Sequence, residues 1–200
     1  QMTGVIIRQT GDLRRIVDEF SKFARMPEPE LHLNDMTQLV HDALSLQIVG
    51  QPDVHFAASI PEEAVLVDMD DTMIGQALTN LLKNAGEATD TYIKREAPEV
   101  YRPEVQLRMS YDAQGVTIKI SDNGIGLPED RARLFEPYVT TRGEGTGLGL
   151  PIVKKIIEEH GGTLTLTDAD VFAGHDHAGA CAIIQLPAAA QSARAPKIPA

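Results

Sequence analysis

Hydrophobic residues recur along the chain with two spacings, one typical of helices and one typical of strands. Between about residues 5 and 25, apolar positions form a single stripe. Its two rows, each spaced by seven residues, are Ile6, Leu13 and Phe20, and Gln9, Ile16 and Phe23, with Val17 and Ala24 beside them; Gln9 is its one polar interruption. This stripe predicts a bundle or coiled-coil helix that needs a partner, and an amphipathic helix packed on its own domain fits it equally well. We assign residues 1–26 to this helix and residues 27–31, with their prolines, to a short stiff linker.

The following region, residues 32–187, alternates between helix and strand patterns and is the expected globular domain. Asp35 is expected to cap a helix, and Asp70 or Asp71 to cap a longer helix that runs through Thr89 or beyond. The apolar positions of the first of these helices are Leu39, Val40, Ala43, Leu44 and Leu46. Those of the second are Ile74, Ala77, Leu78, Leu81, Ala85 and Ala88. A last helix is predicted at residues 146–160, and Gly161 and Gly162 end it.

Strand patterns lie between and after these helices. Short strands are predicted near residues 54–58 and 64–67, and a hairpin at residues 105–121 turns at residues 112–115. In its second arm Val116, Ile118 and Ile120 face one side, and polar residues alternate with them. Two more strands are predicted near residues 163–167 and 180–186, after a loop-rich stretch at residues 122–145. Residues 188–200 have low complexity and are expected to be disordered.

Composition and charge restrict the classes of protein to which this chain could belong. The net charge of -11 argues against nucleic-acid binding, which needs a basic surface. A single cysteine, Cys181, cannot form an internal disulfide and fits a reducing compartment. The sequence has no apolar run of membrane-spanning length and no signal peptide. Because the chain begins with Gln1 close to a helical pattern, we expect it to be a fragment of a longer protein.

A glycine-rich stretch, GEGTGLGL at residues 143–150, leads into the last predicted helix. Such a loop presents free N–H groups and the positive end of the helix dipole, which suits phosphate. The two familiar phosphate-loop patterns do not match: the dinucleotide pattern needs a glycine where Leu150 stands, and the chain has no Gly-Lys pair. Taken alone, this stretch fits a flexible loop at least as well.

Two further stretches add polar groups of suitable chemistry. In SDNGIGLPE, residues 121–129, Asp122 ends a strand and could accept a hydrogen bond from an exocyclic amine such as that of adenine. A plain glycine turn is the alternative. In NLLKNAGEA, residues 80–88, Asn80 and Asn84 lie four apart on the flank of a helix, where asparagine is unfavourable. Their amide oxygens suit Mg²⁺ that already carries phosphates, and a solvated helix flank is the alternative.

Four stretches taken in order resemble the N box, first G box, F box and second G box of sensor histidine kinases. They are NLLKNAGEA (80–88), SDNGIGLPE (121–129), LFEPYVTTR (134–142) and GEGTGLGLPIV (143–153). The opening helix resembles the second helix of the dimerisation hairpin in nitrogen-regulation kinases of the NtrY and NtrB type. The resemblance covers residues 32–187 and implies an α+β fold, a two-layer sandwich with helices on one face of a mixed sheet. Gyrase, MutL and a heat-shock chaperone family share this ATPase fold.

The resemblance implies that the chain binds ATP and Mg²⁺. Asn84 would coordinate Mg²⁺, Asp122 would bind the adenine amine, and Arg142 would approach the γ-phosphate. Catalytic roles are implied for Asn80, Asn84 and Arg142. The implied nucleotide contacts are Asn80, Lys83, Asn84, Asp122, Gly124, Gly126, Phe135, Tyr138, Thr141, Arg142, Gly145, Thr146, Gly147, Leu148 and Gly149. Leu148 and Leu150 are expected to pack under the base or the lid that contains the F box.

The chain differs from the family in lacking a recognisable phosphate-accepting histidine. None of its histidines has the following acidic residue and proline of an H box; they are His32, His41, His55, His160, His175 and His177. We expect the acceptor helix to precede Gln1, so this chain should bind ATP without phosphorylating itself. Related ATPases carry a water-activating glutamate where this chain has Asn80, which favours transfer over hydrolysis. An ATPase of the same fold and a non-catalytic nucleotide-binding module remain the alternatives.

The resemblance also implies partners and a location. They are ATP, the receiver domain of a response regulator and, in the full-length protein, a second copy of the chain. The fragment is expected in the cytoplasm without direct membrane contact, and the full-length protein could be anchored in the inner membrane. We interpret His175 and His177 as part of a polar loop in preference to a zinc site, Cys181 as a core residue, and Lys154 and Lys155 as a solvated helix face.

Overall fold

The computed structural model describes residue 17, residue 21 and residues 25–96, 99–137 and 147–188. These ranges contain seven strands, three complete α-helices and one 3-10 helix. The strands are β1 (His32–Asp35), β2 (His55–Ser59), β3 (Leu66–Met69), β4 (Glu104–Asp112), β5 (Gly115–Asp122), β6 (Thr163–Asp168) and β7 (Ala180–Pro187). The helices are α1 (Met36–Gly50), α2 (Asp71–Glu96) and α3 (Gly149–Glu159), and the 3-10 helix is Ala132–Phe135.

Five strands form one mixed sheet in the order β2-β4-β5-β7-β6. The β2–β4 pair is parallel and the other three pairs are antiparallel. All three helices pack on one face of this sheet, where Leu107 and Ile118 are buried, whereas Arg108 and Lys119 on the other face are exposed. β1 and β3 form a separate antiparallel pair. The predicted two-layer α+β sandwich is therefore confirmed.

The central hairpin of the sheet forms as its alternation predicts. β4 and β5 pair in register from Val105 opposite Asp122 to Asp112 opposite Gly115. At the turn, Asp112 Oδ1 accepts hydrogen bonds from the N–H groups of Gln114 and Gly115, at 2.8 and 3.2 Å. This hairpin fixes Asp122 at the end of the middle strand of the sheet.

Side-chain caps start the first two helices. Asp35 Oδ1 accepts from the N–H of Thr37 at 2.9 Å, as predicted. Of the two candidates for α2, the structure selects Asp70, whose Oδ1 accepts from the N–H of Met73 at 3.0 Å. The predicted apolar face of α2 is confirmed, since its six members are all buried.

Asp70 also ties the linker to the domain. Its Oδ2 accepts from the N–H of Glu30 at 3.1 Å, and its own N–H donates to Nε2 of the buried His160 at 3.1 Å. Burial raises the pKa of Asp70, but the backbone hydrogen bonds from Met73 and Glu30, with the neighbouring His160, outweigh it. The pKa of Asp70 therefore lies below its ordinary value of 3.8.

Three boundaries differ from the sequence prediction. β1 was assigned to no element, and β3 begins two residues later than predicted because its position is set by pairing with β1, His32 opposite Met69. α3 begins at Gly149, whereas the prediction began it at residue 146. Gly147 has a φ of +69°, which a right-handed helix does not allow. Leu46 was predicted on the apolar face of α1, but its side chain is 60% exposed.

The predicted opening helix lies mostly outside the described residues. Val17 and Ser21 are helical, and the N–H of Arg25 donates to the carbonyl oxygen of Ser21 at 3.1 Å, as one helical turn requires. The predicted tail also lies outside them, apart from Ala188, whose N–H donates to Gln114. Within the described ranges, no helix combines the length and the apolar character needed to cross a bilayer.

Candidate functional site

Asp122 occupies a closed position at the end of β5. It is 4% exposed, and its Oδ1 accepts hydrogen bonds from the N–H groups of Gly124 at 2.8 Å and Ala180 at 3.3 Å. Gly179 lies directly against it: a Cβ at that position would lie 2.1 Å from the backbone oxygen of Asp122 and 2.6 Å from its Oδ1. The carboxylate is thus held in one orientation by backbone groups from two segments of the chain.

The loop after Asp122 is pressed against α2. A Cβ on Gly124 would lie 2.4 Å from the backbone carbon of Ala88 and 2.6 Å from the nitrogen of Thr89. The N–H of Ile125 donates to the carbonyl oxygen of Ala88 at 3.2 Å. Gly126 has a φ of +77°, a conformation that favours glycine. The first G box therefore joins the sheet to the C-terminal half of α2 without room for a side chain.

The N-box residues lie on the flank of α2. Asn80 and Asn84 are half-buried, and Lys83 is exposed and forms an ion pair with Glu87 at 3.7 Å. A Cβ on Gly149 would lie 3.8 Å from Nδ2 of Asn84. The structure therefore brings the N box next to the first residue of α3.

The start of α3 differs in part from the expectation. Its N-cap residue, Leu148, makes no side-chain capping bond. Among the described residues, Leu148 thus leaves the first-turn N–H groups of α3 uncapped, as a site for phosphate oxygens requires. Leu148 itself is fully buried in the main core, and Leu150 packs partly buried against that core. The side chain of Leu148 thus lies in the core, so that Leu148 could contact a nucleotide only through its backbone.

The described part of the F box packs beside α3. Phe135 belongs to the 3-10 helix, and Nζ of Lys154 lies 4.9 Å from the centre of its ring. Just before this helix, the guanidinium of Arg131 contacts the carboxylate of Asp168 at 2.7 Å. Five other implied contacts lie outside the described residues and stay predictions. They are Tyr138, Thr141, Arg142, Gly145 and Thr146.

A cluster that the sequence did not predict lies behind Asp122. Asn123 is 1% exposed and contacts Tyr101, His175 and His177. Burial, followed by the negative charge of Asp122, raises the pKa of Tyr101, so its hydroxyl keeps its proton and can donate. The visible signal was the GHDHAG stretch, which holds both histidines. In the part of the chain that the structure describes, no group of three or more His, Cys, Asp or Glu side chains could hold a metal ion.

Comparison with known proteins points to one family. Residues 69–190 match the family described as "Histidine kinase-, DNA gyrase B-, and HSP90-like ATPase". The chain is 50% identical over 172 residues to the nitrogen regulation protein NtrY of Azorhizobium caulinodans, covering 84% of this chain and 22% of that protein. It is 31% identical to a putative sensor histidine kinase NtrY-like of Rickettsia bellii, covering 83% of this chain and 26% of that protein. The chain thus spans about a quarter of the length of these relatives.

Two solved structures are similar to the whole domain. The mycobacterial sensor histidine kinase MprB aligns with a TM-score of 0.66 at 26% identity, over 80% of this chain and 99% of that one. Full-length ShkA, solved in complex with AMPPNP, aligns with a TM-score of 0.69 at 28% identity, over 92% of this chain and 38% of that one. The arrangement of sheet and helices is therefore shared with these sensor histidine kinases.

Proposed function

Because the chain belongs to the histidine kinase-, DNA gyrase B- and HSP90-like ATPase family, we propose that it binds ATP and transfers the γ-phosphate to a histidine on another segment. It is the ATP-binding catalytic part of an NtrY-like sensor histidine kinase. The phosphate would then pass to an aspartate in the receiver domain of a response regulator. In the full-length protein we expect a homodimer, with this fragment in the cytoplasm.

The observation that carries the proposal is the closed setting of Asp122. Two N–H groups fix the buried carboxylate through Oδ1, and Gly179, which has no side chain, leaves space beside it. Such a carboxylate suits recognition of an amine on a flat ring. An adenine amine donates hydrogen bonds, and an ionised carboxylate only accepts them. Asp122 would thus bind and orient the base end of ATP.

The phosphate end would be formed by α2 and α3. The N–H groups at the start of α3, with their positive dipole, would hold phosphate oxygens. Asn84 fits Mg²⁺, because a neutral amide oxygen suits an ion whose other ligands are phosphate and water. When bound, Mg²⁺ would neutralise the phosphate charge, and Asn80 and Lys83 would lie beside the same groups.

Phosphoryl transfer needs placement and charge neutralisation more than covalent help from the protein. The bond from the γ-phosphorus to the bridging oxygen breaks, a bond to the acceptor imidazole nitrogen forms, and ADP leaves. Asn80 cannot act as a general base for water. This residue favours transfer to histidine over hydrolysis.

A transfer assay tests the proposal. The chain is mixed with ATP labelled at the γ-phosphate and a separate hairpin fragment that carries the acceptor histidine of an NtrY relative. We expect acid-labile label on the hairpin, little free phosphate, and loss of transfer in Asn84→Ala. Phosphate release without labelled hairpin would instead support an ATPase, and neither product would support a non-catalytic module.

A pair of variants at one position separates the first two outcomes. Asn80→Glu supplies a carboxylate that can accept a proton from water, whereas Asn80→Gln keeps the amide. We expect free phosphate to rise by about tenfold or more in Asn80→Glu alone, since a general base contributes at least this much. Equal rates in both variants would show that residue 80 does not decide between transfer and hydrolysis.

A further inference from the structure

Asn123 connects the base-recognising turn to two other segments. Its Oδ1 accepts from the N–H of Glu104 at 2.9 Å, and its Nδ2 donates to the carbonyl oxygen of Arg102 at 2.8 Å. These two backbone partners fix which end of the amide is oxygen and which is nitrogen. The side chain of Asn123 therefore links the turn that follows Asp122 to the backbone at the start of β4.

Tyr101, from the same segment, and His177, from the loop between β6 and β7, also contact Asn123. The hydroxyl of Tyr101 lies 2.9 Å from both the side-chain and the backbone oxygen of Asn123. His177 Nε2 lies 2.7 Å from the backbone oxygen of Asn123, and since a carbonyl only accepts, Nε2 carries the proton. The backbone carbonyl of Asn123 thus accepts from His177 and lies within reach of the Tyr101 hydroxyl, whose single proton it shares with Oδ1.

Aromatic stacking fixes these two donors in turn. The His177 ring stacks on Tyr92, with ring centres 4.0 Å apart and planes 13° apart. Tyr92 also contacts Tyr101, with ring centres 4.9 Å apart. Since Tyr92 belongs to α2, the loop between β6 and β7 is joined through His177 to the same helix that carries the N box.

Asp122 is held directly by the N–H groups of Gly124 and Ala180, and the contacts of Asn123 hold the turn that carries one of these groups. Asp122 and Asn123 are consecutive and both almost completely buried. The chain leaves the sheet here. After the N–H of Asn123, which donates to Glu104 at 3.2 Å, the next backbone hydrogen bond of the turn is that from Ile125 to Ala88, also at 3.2 Å. Without the donors on the Asn123 carbonyl, the peptide planes of the turn could rotate. Asp122 Oδ1 would move with the N–H of Gly124 that it accepts from.

We propose that Tyr101 and His177 are positioning residues that act through Asn123 on Asp122 and set the preference of the site for a purine with an exocyclic amine at position 6. This inference rests on the proposed function, in which Asp122 binds that amine. Neither residue touches the base in this account. Their effect is on the direction of one carboxylate, and hence on selectivity more than on overall affinity.

The test compares two nucleotides on variants of the full 200-residue chain. A non-hydrolysable ATP analogue and the matching purine riboside analogue share all phosphates and differ only at position 6, where the second carries a hydrogen atom in place of the amine. The ratio of the two Kd values therefore reports on Asp122, and losses at the phosphate end cancel. Tyr101→Phe removes only a hydroxyl, and His177→Phe keeps a ring on Tyr92 but removes the N–H donor.

In the parent we expect clear preference for the ATP analogue. In Tyr101→Phe and His177→Phe the ratio should fall by about tenfold, the value of one well-formed hydrogen bond. His177→Gln, which again offers an N–H donor, should recover part of the ratio. A purely structural role would instead lower the melting temperature and leave the ratio at the parent value, and that result would overturn the proposal.

Failure of the underlying function gives a different result. If the parent binds neither analogue, ATP binding itself is wrong. If the parent binds both equally, the role of Asp122 is wrong while ATP binding stands, and the positioning role falls with it. Each of these outcomes is visible in the parent before any variant is measured.

Discussion

At the base end of the proposed pocket, Asp122 and Asn123 are 4% and 1% exposed and are held by hydrogen bonds within the protein. At the phosphate end, Asn80 and Asn84 are half-buried, and the side chain of Lys83 is 61% exposed. Among the described residues, those at the base end are thus buried, and those at the phosphate end are partly exposed.

The difference in exposure between the two ends matches the different chemistry of adenine and of the triphosphate. Adenine is flat, rigid and uncharged, and a preformed polar group discriminates it well because the wrong base leaves that group unpaired. A triphosphate is flexible and charged and brings Mg²⁺ and water with it. Stability and binding should therefore be coupled at the base end and separable at the phosphate end.

The largest effect is expected at Gly124. In Gly124→Ala the new Cβ would meet the backbone of Ala88 in α2, so that helix or turn must move. We expect the free energy of unfolding to fall by about 3 kcal/mol and nucleotide binding to be lost. Urea unfolding measures the first and calorimetry the second. Gly50→Ala is the control, since nothing lies within 4 Å of its added Cβ, and equal stabilities of the two variants would contradict the account.

The matching substitution at the phosphate end is Gly149→Ala. Among the described residues, its Cβ would meet Nδ2 of Asn84 alone, at an ordinary contact distance of 3.8 Å. Because alanine also suits a helix better than glycine, stability should stay equal or rise. The methyl group would stand where phosphate approaches, and we expect affinity for an ATP analogue to fall about tenfold, equivalent to about 1.4 kcal/mol. If Gly149→Ala is destabilised as much as Gly124→Ala, stability and binding are coupled at both ends of the pocket, and the proposed contrast between them is wrong.

An intermediate effect on stability is expected at Asp70, which caps the N-terminus of α2 and belongs to neither the base end nor the phosphate end of the pocket. Asp70→Ala should cost about 1 kcal/mol at neutral pH, and Asp70→Asn, which keeps a capping oxygen, should cost less. Because the folded-state pKa lies below 3.8, the charge-dependent stabilisation is present above that pH. It is lost as the pH falls through the folded-state value.

Thermal unfolding between neutral pH and about pH 3 measures this effect. The difference in stability between the parent and Asp70→Asn should shrink in the acid part of the range. A difference that stays constant across the range would show that the charge of Asp70 contributes nothing to folding. Nucleotide affinity should stay within about twofold of the parent at neutral pH, since the cap touches neither end of the pocket.

The smallest effect is expected where the F box meets α3. A double-mutant cycle of Lys154→Ala and Phe135→Leu should give a coupling energy of about 0.5 kcal/mol, because the pair is partly exposed. Additive effects of the two substitutions would mean that this contact does not hold the 3-10 helix on α3.

Much of the fold could be predicted because it depends on local pattern. The caps Asp35 and Asp70 and the alternation of β5 are properties of a few consecutive residues. β1 could not be predicted in this way, since its four residues become a strand only by pairing with β3. The start of α3 was missed because a helical pattern does not reveal the left-handed φ of Gly147.

The candidate site divides in the same way. The N box and first G box were found as motifs, and the structure places Asn84 beside Gly149 and closes the turn around Asp122. Tyr101 and His177 were not predicted for the site because they lie 22 and 54 residues from Asn123. Only tertiary packing brings them together.

Calorimetric titration with a non-hydrolysable ATP analogue, with and without Mg²⁺, tests the two-ended pocket most directly. The titration is made on the parent, on Asp122→Asn and on Asn84→Ala. The account predicts that Asp122→Asn weakens binding by about thirtyfold in both conditions, the loss of one charge-assisted hydrogen bond. Asn84→Ala should weaken binding only when Mg²⁺ is present. No binding by the parent, or an equal loss in Asn84→Ala with and without Mg²⁺, would contradict it.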